Sequence, residues 1–592
     1  VTGIPDERAG GGRALWLMFA VLFLVAAFLG AWGLTQLDQP DSRCPPPDTR
    51  ACRYPAADIA YFDAQLFLLA SEPLQDGGPF PLPLEVARFL APFATAYGVT
   101  ASVWNILVDR RHRRAARRAQ EHAVVVGDDP FALTITTALR AAGTAVIRVT
   151  GDADQHAQGL VVVGDAWKPA TLRAAGVPRA TTVYACLADN AANAAVVAAV
   201  AALTGEEGDH PEPLACYARI SDGELALALK ARRLGLSAGS GFRLDFFTPE
   251  EIAARKLATH ILEPHLGTGD PLPSVAIVGL GPFGRALIVA LARLWRVRSG
   301  APLLPLVLVD RHASAQLAEL RTRYPPVAAH CAPRVRDEPA TTVDLGTVLP
   351  EPPSAGASGD AGTLGIRHLV LCDQNEDTVL PRALNTTRNT VDVGQIVTVC
   401  TGQRTALGDL LNPRLLDSAP GEVRIFAITD EAAEPDELRN DTLTVLARAI
   451  HEQYLIDEQA KGRTIGSAEP MELWDDLRDD LRAANYRQAE DIGVKLGKIS
   501  AVVVPMTDPP TDFSFTPAEI DLLARHEHER WCAERRGQGW TFAPVRDDSR
   551  RRHNLLVDWL DLPDDQRAKA IATVRHLPAL LADHGLQILR LG

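Results

Sequence analysis

The chain is poor in aromatic residues, 6% of 592, and holds only three methionines. Its eight cysteines include no Cys-x-x-Cys pair and no Cys/His cluster. That spacing excludes a zinc ribbon or a redox dithiol, and no metal is expected. There is also no excess of positive charge. Sixty Lys and Arg against 74 Asp and Glu leave a net charge of −14, which argues against a general nucleic-acid binder. What is present describes an ordered, multidomain protein: 47% hydrophobic and 23% charged residues, in a chain too long for one core. Cys186, Cys216, Cys331, Cys372, Cys400 and Cys532 sit in apolar or mixed contexts and read as buried thiols. Cys44 and Cys52 stand apart in a Pro-rich segment.

One long uncharged run exists. Leu15–Leu34, LWLMFAVLFLVAAFLGAWGL, has twenty residues without a charge, which as a helix spans about 30 Å, the thickness of a bilayer core. A second, less apolar candidate is Phe89–Val108, FLAPFATAYGVTASVWNILV, whose polar and small residues favour a face against protein or water. Six arginines follow in Asp109–Arg118. By the positive-inside rule that end is cytoplasmic, which places both termini inside and residues 35–84 outside. The expectation is a multi-pass protein of the plasma (inner) membrane in contact with the lipid bilayer. Between the spans, Tyr61–Ala70 reads as an apolar helix too short to cross, and residues 35–84 contain no Thr-Val-Gly-Tyr-Gly carbonyl filter.

From Ala123 the pattern changes to strand, turn, helix, strand. Ala123-Val-Val-Val126 leads into Gly127–Ala132, a helix to Ala142, a Gly143 cap and a strand Thr144–Val149. Further pieces follow at Leu160–Ala166, Leu172–Val177, Thr182–Leu187 and Tyr217–Ile220. In this order they resemble the N-terminal lobe of RCK (TrkA-N-like) domains, the regulators of potassium conductance. Of a Gly-x-Gly-x-x-Gly turn only Gly127 remains; Asp129 and Ala132 take the other places, and Thr150 replaces the acidic ribose ligand. A structural lobe without nucleotide is expected. The second unit is better formed. Strand Ser274–Val278 enters Gly279-Leu-Gly-Pro-Phe-Gly284, a helix follows, and strand Leu304–Val309 ends in Asp310. Gly279, Gly281 and Gly284 suit the tight turn, close ligand approach and helix–strand packing, and Asp310 suits a ribose hydroxyl. NAD or another adenine nucleotide is the expected regulatory ligand, beside the alternative of an RCK-like turn with an empty site.

The densest chemistry lies in His526–Trp540 and Pro544–Asp548, where two tryptophans, two histidines and several arginines crowd together. With Ala484–Ile492 upstream and Trp559–Pro563 downstream, the stretch resembles the ryanodine-receptor repeat, the RyR domain. Thr516-Pro-Ala-Glu519 reads as a capping box opening a helix that stops at Gly537. His528, Trp531 and Arg535 share one face of that helix; Trp540, Arg546 and Asp547 follow it. Indoles offer stacking, arginines phosphate pairing and a carboxylate accepts from an amino or ribose group. These six are the expected ligand contacts, with core packing as the competing role for both tryptophans. The resemblance implies a sensor.

The expected fold is α/β: a two-helix membrane segment (1–120), two Rossmann-like RCK lobes with parallel sheets (121–270 and 271–462) and a mainly α-helical RyR domain (463–592). The expected function is a ligand-regulated, channel-like membrane protein, not an enzyme and with no catalytic residues, in which the lobes and the RyR domain sense a nucleotide-type ligand and gate the spans for K+ flux. Family analogy implies a bacterial homo-oligomer of four chains whose eight lobes form a ring. Two other readings stand: a non-conducting sensor, and an NAD-dependent oxidoreductase, for which no acid–base substrate domain is visible.

Overall fold

The computed structural model describes residues 11–37, 53–70, 74–75, 77–151, 159–204, 213–234, 242–266, 272–298, 300–348, 367–372, 376–389, 395–404 and 422–591. Cys44, Cys52 and the Pro350–Gly362 insertion lie outside them, as do the side chains of residues 11–17 and 101–112. Compact packing divides the chain into Val1–Val124 with Val146–Arg179, and Val125–Ala145 with Ala180–Gly592.

The first unit opens with helices Gly11–Leu34, Ala56–Leu66 and Leu82–Ala116. The middle one starts after Pro55 and ends before the predicted Ala70, because Leu69 turns to φ +58°. The long helices meet through small residues. A Cβ on Gly33 would stand 2.5 Å from the Leu84 nitrogen, and one on Gly98 would stand 2.6 Å from the Phe19 ring. Ala26, Ala87, Ala91 and Ala94 are buried, whereas Phe23, Leu24, Phe28, Phe89 and Phe93 are exposed. Leu34, Phe62, Leu66 and Leu84 are buried in the same cluster as Ala26, Ala87 and Ala91. Among the described residues no helix is long and apolar enough to cross a membrane; both predicted spans run past the described side chains, at residues 15–17 and 101–108. From the arginine run, Arg113 donates to the Val163 carbonyl at 2.7 Å.

Two parallel sheets follow. The first comprises β1 (His122–Val126), β2 (Val146–Thr150), β3 (Leu160–Val163), β4 (Ala180–Ala185), β5 (Leu214–Arg219) and β6 (Phe242–Phe247), in the order β3-β2-β1-β4-β5-β6. The second comprises β7 (Ser274–Val278), β8 (Leu304–Asp310), β9 (Cys331–Asp337), β10 (Arg367–Leu371), β11 (Gln395–Thr401) and β12 (Glu422–Ala427), in the order β12-β11-β10-β7-β8-β9. Read from β9, this is the same doubly wound order. Runs such as Ala123–Val126 and Val275–Val278 are buried throughout, as parallel strands covered on both faces require. Val278 pairs with Val309 on one side and Leu371 on the other. The strand order therefore reverses at β7, where ligands of such sheets bind. All six expected buried cysteines are free and buried; burial pushes the Cys216 and Cys331 thiols up to about 12.

The C-terminal region is mainly helical, as expected, with helices Thr442–Gln459, Asp479–Glu490, Pro517–Gly537 and Asp564–Asp583. It adds an antiparallel pair, β13 (Ala501–Pro505) with β16 (Leu586–Arg590), and a short parallel pair, β14 (Thr541–Phe542) with β15 (Arg552–His553). Leu523, Ala524, Trp559, Leu562 and Val574 form one core under helix Pro517–Gly537. The capping box forms: Thr516 N–H donates to Glu519 at 2.8 Å, and Glu519 N–H to the Thr516 hydroxyl at 3.3 Å.

Candidate functional site

Helix Pro517–Gly537 carries two different faces. On one, Arg535 spans two indoles, its guanidinium carbon 5.9 Å from the Trp531 ring centre and 5.4 Å from that of Trp540. His553, delivered by β15, meets both rings edge-on at 5.0 and 5.9 Å. Gly539 at φ +82° makes the turn that folds Trp540 back over the helix, and Arg551 clamps it by donating to the Gln538 carbonyl at 2.9 Å. Arg535 Nε is buried with no hydrogen-bond partner among the described residues; its one side-chain bond, to Gln538, is 3.3 Å long. Desolvation, then the charges of Arg546 and Arg535, lower the His553 pKa and keep the ring neutral near pH 7. The cluster is aromatic, half-buried and cationic, and it holds an unsatisfied donor.

Not all six predicted contacts belong to it. Trp531, Arg535 and Trp540 come together. His528 lies behind them, buried against Trp531 and Trp559, with Nε2 donating to the Val557 carbonyl at 2.8 Å. Arg546 is exposed and paired with Asp548 at 2.6 and 3.0 Å. Asp547 closes its own turn, accepting from the Ser549 hydroxyl at 2.6 Å and Arg550 N–H at 3.2 Å. His553 escaped the sequence reading because no periodicity links it to the helix; only the β14–β15 pairing brings it there.

The opposite face is an ion network. Lys495, 4% exposed, pairs with Glu527 and, at 3.3 Å, with Asp491. His526 meets Asp491 at 3.0 Å, and Arg530 binds Glu527 at 2.6 Å and Glu534 at 3.0 Å. Arg487 also pairs with Glu534. His526 thus has a structural partner. Among the described residues no His/Cys/Asp/Glu group is arranged to hold a metal.

The second-lobe turn sits at the end of β7. Gly279 adopts φ +95°, and a Cβ on Gly284 would lie 2.2 Å from the Gly279 carbonyl oxygen. A Cβ on Gly281 would meet nothing within 4 Å, so this is the open side of the turn. Asp310 accepts from Leu280 N–H at 2.8 Å and from His312 N–H at 3.3 Å. It therefore braces the turn, with one oxygen committed to it. The longer spacing to Asp310 is taken up by a loop that Trp295 pins, its indole N–H donating to the Pro302 carbonyl at 2.9 Å.

The first-lobe turn is occupied by the chain itself. Asp129 caps helix Pro130–Ala141 by accepting from Ala132 N–H at 2.9 Å, and its other oxygen pairs with Arg219. Arg219 in turn lies 5.2 Å over the Phe131 ring. Gly127, φ +141°, passes so close to Cys186 that a Cβ would sit 2.7 Å from its carbonyl oxygen. A carboxylate thus stands at the helix N-terminus where a pyrophosphate binds in such folds.

Solved structures that align with this chain include a GsuK channel bound to NAD (13% identity over 86% of this chain and 90% of that one, TM-score 0.33). GsuK bound to ADP is 15% identical over 73% of this chain and 98% of its own, with TM-score 0.33. The GsuK RCK domain is 13% identical over 69% and 85%, with TM-score 0.32. Family models match two segments: residues 108–237 match the TrkA-N domain, and residues 517–590 match the RyR domain. The chain therefore carries a TrkA-N domain and a RyR domain.

Proposed function

We propose that this chain is a ligand-regulated, channel-like protein of the plasma (inner) membrane and not an enzyme. In this reading both termini are cytoplasmic, and the spans at residues 15–34 and 89–108 are gated for K+ flux in a tetramer. The RyR domain reads a nucleotide-type ligand, and the parallel-sheet lobes carry the response. The observation that carries the reading is Arg535 held over Trp531 and Trp540 with an unsatisfied buried donor. An adenine base stacks on Trp540 where the guanidinium now lies, and Arg535 turns to the phosphate. The ligand shifts the protein because only one arrangement of Arg535 offers both contacts. Support comes also from the TrkA-N and RyR matches, the intact Gly279–Gly284 turn and the exposed Phe23, Phe28, Phe89 and Phe93 of the helix pair.

The test is Rb+ flux into liposomes holding the full-length chain, with and without ADP or NAD. Nucleotide-dependent flux that disappears in Trp540→Ala is the expected result. Flux indifferent to nucleotide in the unaltered protein sinks the reading. A nucleotide thermal shift without flux selects the second reading, a non-conducting sensor, which the lack of a Thr-Val-Gly-Tyr-Gly filter in residues 35–84 favours.

A further inference from the structure

A cavity of about 390 Å³ lies away from the tryptophan cluster and the first-lobe turn, and meets the Gly279–Gly284 turn only at Pro282. Its walls come from helices Gly223–Leu234 and Pro249–Leu262, the second-lobe helix Pro282–Trp295, helix Thr442–Gln459 and β16. That volume falls in the range of small-molecule sites. Leu227, Ile252, Val289 and Leu294 give it an apolar body.

The charges in its wall are unevenly satisfied. Glu251 is paired with Lys230 at 2.6 Å, Glu224 with Arg323, and Glu452 with Arg448 at 3.3 Å. Asp441 is paired with Arg243, and Asp245 accepts from the Thr442 hydroxyl at 2.8 Å. Glu250 lies in the first turn of its helix, where the dipole favours a carboxylate. Asp222 accepts from Glu224 N–H at 2.9 Å, Glu319 lies 3.8 Å from Arg323, and Arg255 pairs with Glu437, but two of the arginines differ. Arg285 has no side-chain hydrogen bond or ion pair among the described residues, and Arg293 gives its Nε to a backbone carbonyl, that of Asp583, at 2.8 Å. Arg293 lies 5.4 Å over the ring of Tyr324, whose hydroxyl makes no hydrogen bond among the described residues. Burial and the Glu251 carboxylate raise the Tyr324 pKa, while Arg293, Arg323 and Arg285 pull it down. His584, in the same wall, is kept neutral by burial and by the charges of Arg293 and Arg296.

We propose that this cavity is a second ligand site, taking a small organic anion: a phosphate or carboxylate on an apolar body, with the oxyanion seated by Arg285 and the Tyr324 hydroxyl. Arg293 supplies a further positive charge beside the seat. The site touches the first lobe, the second lobe and the C-terminal domain at once, so its occupant sets how firmly the three are held together. It is independent of the tryptophan cluster.

Four probes added to the purified full-length chain test this: phenyl phosphate, benzoate, inorganic phosphate and phenol, read by thermal unfolding and calorimetric titration. Phenyl phosphate or benzoate should raise Tm, while phenol should not. Arg285→Ala should weaken binding about tenfold or more, and Tyr324→Phe, which keeps the ring, should weaken it by a smaller factor. Trp540→Ala should leave this binding intact while removing the adenine-nucleotide response, which separates the two sites. The proposal is overturned if neither organic anion shifts Tm, or if phenol or inorganic phosphate binds as well as phenyl phosphate. Full affinity in both Arg285→Ala and Tyr324→Phe overturns it equally.

Discussion

Arg296 and Asp583 form an ion pair at the junction of the second lobe and the C-terminal domain, with side chains only 10% and 16% exposed. Glu452 joins Arg296 at 3.5 Å, and the preceding turn adds Arg293, which donates to the Asp583 carbonyl. One end of helix Asp564–Asp583 is thereby fastened to the end of the helix that begins at the Gly279–Gly284 turn. Burial raises the Asp583 pKa, and Arg296 and Arg293 partly offset that rise.

Arg296→Met is expected to leave Asp583 buried without its main partner and to cost about 3–5 kcal/mol. Its folded-state pKa then rises further above the unfolded value. A carboxyl raised in the folded state adds stability at low pH that is lost as pH climbs through the folded pKa. Urea midpoints of Arg296→Met should therefore fall more steeply with rising pH than those of the unaltered protein, and adding Asp583→Asn should abolish the difference.

Lys495 is the cation that two buried carboxylates share. Lys495→Met removes the buried cation between Glu527 and Asp491, leaving them only Arg530 and His526, and a loss of about 3 kcal/mol is expected. Arg530 retains Glu527, so the secondary structure should survive. Hydrogen exchange should show the loss concentrated in helix Pro517–Gly537; protection unchanged there would rule out the network as a support of that helix.

Gly284→Ala places a methyl group 2.2 Å from the Gly279 carbonyl. The helix must move off the β7 turn, at a cost of about 1–3 kcal/mol. Gly281→Ala, with nothing within 4 Å, should be close to neutral for folding. Comparing the two by thermal unfolding measures the packing role of the turn separately from its open side.

Glu519 is held down from 4.5 to about 2, first by Arg590 and then by the capping contacts with Thr516. A depressed carboxyl contributes stability that is complete above its unfolded pKa and is lost as pH falls through the folded one. Acid titration of helix content should show a component lost between about pH 4.5 and 2. That component should be missing in Glu519→Gln.

Features set by neighbours in the chain were legible from sequence. The capping box at Thr516, the glycine turn at 279–284 and the Val-rich strands each need only a few consecutive residues. What escaped was set by partners from far away. His553 joins Trp531 and Trp540 through a two-residue strand pairing, and Lys495 finds Glu527 through the packing of two helices. His528 shares the helix face of Trp531 as predicted, but burial against Trp559 turned it to a backbone carbonyl. Spacing gives the face of a helix, not what covers it.

Asp129 gives the first lobe an anion that never leaves. A carboxylate fixed to the helix it caps competes at the effective concentration of an intramolecular group. A dissolved anion reaches that helix end only by displacing Asp129 from both Ala132 N–H and Arg219.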